Sequence, residues 1–518
     1  MRVAIDLQGI QSEGSRSRGI GRYSLQIIKY MIKCFKENEF ILVANAALND
    51  LHSEFENELT YCNVTYFKWY SPGPIDYISK EVIKTKIAIN LRSYAFSGLN
   101  ADIIFITSFL EGYSDNCLVD LDKDFINIPI VSIFYDLIPL INPKLYLNNN
   151  PQFSRYYNTK LEKIKKLDGL LAISESSAKE AIKYLNFKSN NIKNISSACN
   201  KEIFNTTREM KFTLSEELKK YSPFILYSGA SDPRKNIYRL LKAYSQLPKD
   251  LKNYKLILVG KLLIPELELI NRWIKDLDIQ PEQIYKTGYI SDSDLVNLYR
   301  KCSLFVFPSL HEGFGLPILE AMSCGAAVIG ANSTSIPEVI GLQKAMFDPY
   351  NVDDIAELIT KSLKDTQFRT ELKRNSIVQS EKFSWYKTAA LAIEAFSYFI
   401  KTHKVNKDKT YDLAQSNNKS NFDLLIKRIK SQRMINLFRD DELDSQVAAS
   451  IDKINIQLSR IKTERFWNSE NLSWKVEGPF DSSYSLSILN RFFVQSLDSR
   501  VSHISIHITE GFGDYPPN

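Results

Sequence analysis

Twice along this chain, short runs of β-branched and aromatic residues alternate with amphipathic helical patterns. No other feature constrains the fold as much. RVAIDL, FILVAN, DIIFIT, IPIVSIFYDL and GLLAIS have strand character, with LQIIKYMIKCF and SSAKEAIKYL as helices between them. After about residue 210 the rhythm restarts. PFILYSG, KLILVG, QIYKTG, LFVFPS and AAVIGA are strand-like, and NIYRLLKAYSQL, IPELELINRWIKDL, SDLVNLYRKC and GLPILEAMSC are helix-like. Near-continuous apolar strands interleaved with helices require parallel sheets covered on both faces. The expected architecture is therefore α/β: two doubly wound domains, residues 1–210 and 211–402. Ligands of such sheets sit beyond the carboxyl ends of the strands, so the two domains should face one another across a cleft.

A different texture follows. Residues 403–470 are expected to be a polar linker and charged helices, with VNKDKTYDLAQSNNKSNF (405–422) as the linker and residues 423–462 as the helical part. That helical part can self-associate, dock on the preceding domains, or act as a spacer. Residues 471–518 read as the truncated start of a second copy of the first domain. In SSYSLSILNRFF, as in GRYSLQIIKYMI near the amino terminus, Tyr-Ser-Leu leads into an amphipathic helix.

A length of 518 residues suggests three or four units. The composition, 44% hydrophobic and 24% charged, is that of a water-soluble chain with large cores. A net charge of +6 suits an anionic ligand or an acidic membrane surface and is too weak to argue for nucleic acid. The six cysteines contain no CxxC pair and suit a reducing compartment. MRVAIDLQGI lacks the apolar core of a signal peptide, and no apolar run approaches the roughly 18 residues that span a bilayer. A cytoplasmic location follows, with any membrane contact peripheral.

Three stretches can carry chemistry. In HEGFGLPILEAMSCG, Glu312 precedes Gly313-Phe314-Gly315, and an apolar helix then carries Glu320. The glycines allow close backbone approach to a ligand, Pro317 fits a helix start, and first-turn N–H groups can receive an anion. A carboxylate such as Glu320 among apolar neighbours needs hydrogen-bond donors, which ribose hydroxyls would supply. A glycine turn before a core helix with one capping glutamate gives the same letters. In YSGASDPRKNIYRLL, a strand ends in a turn containing Gly229, and Arg234 and Lys235 then precede a helix. Their forked and point charges suit a diphosphate, although a solvated pair is the plain alternative. Cations at a helix start oppose its dipole, which favours the ligand role. In SEGSRSRGIGRYSLQII, Gly19 and Gly21 sit between a strand and a helix, where a phosphate cradle forms; a flexible basic loop reads the same way.

Other stretches are weaker. The second EGFG, Glu510–Gly513, is followed by Asp-Tyr-Pro-Pro and cannot open a helix. Asp120 and Asp122 spell a metal-type DxD within an acidic loop without further site signals. His503 and His507 alternate with isoleucines in a strand pattern that suits packing better than metal. FSWYKTAALAIEAFSYFI is apolar enough to bury but not to span a bilayer. KLEKIKKL (160–167) is basic enough to touch a membrane and equally reads as a solvated helix face.

At these residues the chain resembles the family 4 glycosyltransferases, retaining enzymes of the GT-B fold. The resemblance covers about residues 1–400 and rests on the E-x7-E from Glu312 to Glu320, on DPRKN, on FPSLHEGFGLPILEAMSCGAAVI, on LLAISESSAKE and on the DLIP of FYDLIP. The opening AIDLQGIQSEGSRSRGIGRYSL is similar to that of tandem-domain bacterial mannosyl- and rhamnosyltransferases that build O-antigen or capsule polysaccharides. The resemblance implies two Rossmann-like domains, 1–210 on the acceptor side and 211–402 binding the nucleotide sugar, with a final helix returning to the first domain.

The resemblance also implies roles. Arg234 and Lys235 hold the donor diphosphate and stabilise it as it leaves. Glu320 binds the ribose, and Glu312 faces the transferred sugar near the N–H groups of Phe314 and Gly315. Gly19, Gly21, Gly229 and Leu316 line the donor, and Asp136 lies on the cleft wall. The family often has histidine before that aspartate; here Tyr135 stands there, so no catalytic role is carried over to it. The implied activity is transfer of a hexose, mannose from GDP-mannose first, with rhamnosyl or other transfer from a dTDP- or UDP-sugar as the alternative. A catalytically idle scaffold domain is the rival of another class. No cofactor or metal is expected. The implied partners are the nucleotide sugar, a glycan or lipid-linked glycan acceptor, the inner face of the cytoplasmic membrane and polysaccharide assembly proteins.

Overall fold

The computed structural model describes residues 1–75, 82–207, 221–229, 232–408, 417–434, 441–467, 473–478 and 503–508. Its first sheet contains β1 (Arg2–Asp6), β2 (Glu39–Asn45), β3 (Val64–Trp69), β4 (Ile103–Ile106), β5 (Ile130–Phe134), β6 (Gly169–Ala172) and β7 (Ile192–Asn194). The order is β3-β2-β1-β4-β5-β6-β7, and every pairing is parallel. The second sheet contains β8 (Phe224–Ser228), β9 (Lys255–Val259), β10 (Ile284–Gly288), β11 (Leu304–Phe307), β12 (Val328–Ala331) and β13 (Met346–Phe347). Its order is β10-β9-β8-β11-β12-β13, again parallel.

Central strands such as β1, β4 and β8 are buried at every position, which is why they read as uninterrupted apolar runs. The sequence reading lacks β3, β7 and β13. These are sheet edges: β3 leaves three of six residues partly exposed, β7 has three residues and β13 two. An edge pairs on one side only and needs no continuous apolar run.

Strand order reverses between β1 and β4 in one sheet and between β8 and β11 in the other. These two switch points face each other. The domains are bound behind the cleft by the helix Trp385–Asp408, which leaves the second domain and packs on the first. Trp385 meets Tyr23 at 5.2 Å between ring centroids, and Phe396 meets Phe105 at 5.1 Å. One continuous core therefore runs through both domains.

The helices Asn417–Met434 and Asp441–Trp467 dock on the first domain. Leu425, Ile429, Val447, Ile451, Ile454, Leu458 and Ile461 are buried there. From Val447 on, the apolar positions recur every three or four residues, one helical stripe. The edge strand is also covered: Gln457 Oε1 accepts the Lys68 N–H at 2.8 Å, and Tyr94 donates to Asn455 Oδ1 at 2.7 Å. Of the polar stretch 405–422, residues 405–408 and 417–422 are helical, and 409–416 lie outside the described residues.

Beyond these, β14 (Ser473–Gly478) and β15 (His503–Ile508) pair in parallel, Ser473 opposite His503. Parallel neighbours need a crossover connection, not a hairpin. The Tyr-Ser-Leu stretch after β14 and Glu510–Gly513 lie outside the described residues. Among the described residues no helix is long and apolar enough to cross a membrane.

Candidate active site

The loop after β8 tightens into a single turn, Pro233–Lys235. Asp232 caps it by accepting the Arg234 N–H at 3.0 Å. Asn236 adopts a left-handed backbone and donates to the carbonyls of Pro308 (3.0 Å) and Pro349 (2.8 Å). This ties the turn to the loop leaving β11, and Leu310 N–H completes the tie to the Arg234 carbonyl at 2.7 Å. Gly315 (φ 104°) then opens the helix Leu316–Ser323. A β-carbon on Gly313 would lie 2.7 Å from the Tyr135 carbonyl oxygen, so only glycine lets the two domains approach here.

The folding of these loops brings three charges together. Glu312 Oε1 accepts from Lys235 Nζ at 2.6 Å and from Ser309 Oγ at 2.5 Å. Glu312 Oε2 lies 2.9 Å from Arg234 Nη1, which also donates to the His311 carbonyl at 2.8 Å. Burial alone would raise the Glu312 pKa, but Lys235 and Arg234 outweigh it and hold the carboxyl at about 2. Burial lowers the Lys235 pKa, with Glu312 opposing. The carboxylate thus serves the two cations as well as the cavity that it lines.

Glu320 stands half-buried on the Leu316 helix, and Tyr299 donates to its Oε2 at 3.3 Å. Burial pushes its pKa up to about 7, against the attraction of Arg22. Arg22 and Asp292 face each other at 3.9 Å, one from each domain.

A cavity of about 560 Å³ occupies the cleft, within the range of small-molecule sites. It is lined by Arg234, Lys235, Glu312, Glu320, Gly19, Gly229, Phe314, Gly315, Leu316, Tyr135 and Asp136, so eleven of the twelve expected site residues share one space. Gly21 does not line it. Its N–H donates to the Ser15 carbonyl at 3.0 Å, and a β-carbon there would lie 2.5 Å from the carbonyl oxygens of Ser15 and Arg16. Gly21 seats the helix Gly19–Cys34 against its loop and leaves Gly19 at the cleft. Tyr135 turns its hydroxyl away from chemistry, to Ser24 Oγ and the Thr107 carbonyl, both at 3.1 Å. Asp136 accepts the Ile138 N–H at 3.1 Å, and burial raises its pKa.

Sequence reasoning passed over several groups. Glu180 and His311 meet across the domains at 2.8 Å, and Tyr146 donates to Asp232 at 2.6 Å. Thr334 accepts the Glu312 N–H at 3.0 Å. Glu180 and His311 lay inside quoted motifs, but no local pattern marks a pair so distant in sequence. The DxD decoy has a packing role: Asp120 is buried between Lys160 (3.3 Å) and Lys163 (2.8 Å). Among the described residues no set of three His, Cys, Asp or Glu side chains is placed to hold a metal ion.

Residues 211–379 match the family model described as glycosyl transferases group 1. The chain is 39% identical over 410 residues to the serotype-specific mannosyltransferase WbdA of Escherichia coli, a match covering 78% of this chain and 48% of that protein. It is 34% identical over 394 residues to O-antigen chain mannosyltransferase B of Escherichia coli, covering 73% of this chain and 95% of that protein. The chain spans about half the length of the WbdA proteins it matches. Among solved structures, Anabaena Alr3699/HepE in complex with UDP and glucose superposes with a TM-score of 0.56 at 16% identity, over 77% of this chain and 100% of that one. Sucrose-phosphate synthase from Thermosynechococcus elongatus gives 0.55 at 18%, over 78% and 100%. These likenesses show the fold, and it is GT-B. Matched by the family model and over nearly the whole length of a curated relative, the chain belongs to the group 1 glycosyltransferases.

Proposed function

We propose that this chain is a retaining hexosyltransferase that moves mannose from GDP-mannose to a growing bacterial cell-surface glycan, an O-antigen. The observation that carries the reading is the convergence of Arg234, Lys235, Glu312 and Glu320 on one cavity between two domains. The likeness to a serotype-specific mannosyltransferase and an O-antigen chain mannosyltransferase supports the sugar and the glycan. In the reaction the bond from the anomeric carbon to the diphosphate breaks, and an acceptor hydroxyl oxygen bonds to that carbon on the same face. The hydroxyl proton passes to the departing phosphate oxygen. Negative charge grows on the diphosphate, and cations held in place by buried partners stabilise it without reorganising. Arg234 and Lys235 supply that charge from the protein itself, so the mechanism calls on no metal. Glu320 takes the ribose hydroxyls, and Glu312 holds the cations and faces the sugar. The work takes place at the cytoplasmic face of the membrane, where a lipid-linked acceptor is reached by peripheral contact.

The test is calorimetric binding of GDP, UDP, dTDP, ADP and their sugars to the wild type and to Glu320→Ala, followed by turnover on an acceptor panel. Selective micromolar binding of GDP and GDP-mannose, weakened by the substitution, is the expected result. Selection of UDP or dTDP would transfer the reading to another hexose. Failure of a folded sample to bind any of them would favour a scaffold without chemistry.

A further inference from the structure

The helix Glu175–Leu185 of the first domain holds the second along one face. At its start, the Glu338 carboxylate accepts the N–H groups of Glu175 (3.0 Å) and Ser176 (3.2 Å). Ser177 Oγ contacts the carbonyls of Tyr135 (2.7 Å) and Gly313 (3.0 Å). Three residues on, and so on the same helical face, Glu180 bonds to His311 Nε2 at 2.8 Å and accepts the Leu137 N–H at 2.9 Å. Glu180 and His311 are each 7% exposed. His311 in turn offers its carbonyl to Arg234 Nη1, and the next residue is Glu312.

We propose that Glu180 and His311 form a closure latch that positions the catalytic cations: Glu180, with no reach to the substrate, sets the 309–313 loop and through it Arg234 and Glu312. The inference rests on the transferase reading above. The physical argument is one of uninterrupted contacts. Glu180 bridges the Asp136–Leu137 loop of one domain and the His311–Glu312 loop of the other. When the domains part, the His311 ring loses its anchor, and the loop whose carbonyl holds Arg234 is no longer fixed from the other domain. A carboxylate buried with two partners on opposite domains has both satisfied only when those domains are closed. The ribose contact assigned to Glu320 on the second domain does not depend on the bridge.

The experiment compares the wild type with Glu180→Leu, His311→Leu, the double variant and the conservative Glu180→Gln. Small-angle scattering with and without nucleotide reads closure, calorimetry reads nucleotide affinity, and steady-state kinetics read turnover. Both leucine variants are expected to bind nucleotide within about threefold of wild type while kcat falls about 10- to 100-fold, the scale of a catalytic group displaced by about 1 Å. Scattering should show them failing to compact on binding. The double variant should lose no more than either single one, because the pair acts as a unit. Glu180→Gln, which still accepts the Leu137 N–H, should recover part of kcat. Wild-type kcat and wild-type compaction in either leucine variant would overturn the latch, as would additive losses. Should Glu180→Leu fail to fold, His311→Leu removes the same contact from the other domain. A wild type that compacts on nucleotide yet turns over no acceptor would sink the transferase reading and leave the latch standing.

Discussion

Glu312 and Lys235 are bonded at 2.6 Å inside the cleft, and the same carboxylate reaches Arg234 at 2.9 Å. A buried carboxylate is costly by itself, and so is a buried ammonium; each is stable here because of the other. The two cations proposed to meet the donor diphosphate are thereby held in place by a third charge.

Removing that charge should separate stability from binding. Glu312→Gln leaves a buried cation without its counter-charge, which costs about 3–5 kcal/mol. The thermal midpoint should drop, and a nucleoside diphosphate should restore more of it than in wild type, because the freed cations bind the ligand more strongly. The sign of the pH dependence follows from a folded pKa of about 2 against an ordinary 4.5. The stabilisation is fully present above pH 4.5 and is lost as pH falls toward 2. Scanning calorimetry across pH, with and without GDP, measures both. An unaltered midpoint in the variant would contradict the pairing.

Arg234→Ala and Lys235→Ala should each lower kcat about 10²- to 10³-fold, as expected for loss of one preorganised group at a developing charge. Arg234→Lys should recover little, since a point charge cannot hold the His311 carbonyl and Glu312 while also facing Asp232, as the planar guanidinium does through Nη1 and Nε (3.6 Å to Asp232). Near-full turnover in either alanine variant would show that the leaving group is stabilised elsewhere.

Nucleotide affinity should rise with pH up to about 7 and then level off. Burial raises the Glu320 pKa to about 7, so below that pH the carboxyl is largely protonated. Ribose hydroxyls bond best to the carboxylate, which lowers its pKa in the complex, and binding therefore releases a proton at acidic pH. The change should approach tenfold per pH unit below about 7. Calorimetry in two buffers of different ionisation enthalpy would detect that proton. Glu320→Gln should bind with a flat profile; a profile unchanged by the substitution would place the titrating group elsewhere.

Leu458→Ala should destabilise the protein by about 2–5 kcal/mol in urea unfolding, the usual loss for a buried leucine. Exposed Arg460→Ala on the same helix should stay within about 0.5 kcal/mol. Equal, small effects from both would mean that the helix does not share the first domain's core.

Much of this was legible beforehand for a local reason. Strands β1, β4, β5, β8 and β11 are buried on both faces and therefore apolar at nearly every position. Glycines and charges in the turns after them mark the loops that line the cavity. The glycine loop shows the limit of such reading. Gly19 and Gly21 are equivalent in the sequence, yet one lines the cavity and the other packs against Ser15 and Arg16, because a helix turns about 100° per residue and presents them to different neighbours.

By itself, then, the sequence determined two doubly wound units, the cleft at their strand ends and the carboxylates and cations that belong there. These follow from periodicity and from the chemistry of neighbouring residues. Only the tertiary structure decided what those groups touch. It bonded Glu312 to Lys235, brought Glu180 to His311 across 131 positions, and laid a polar-looking helical segment on the first domain. Pairings of this kind depend on how whole sheets pack against one another, and no short stretch of chain contains that information.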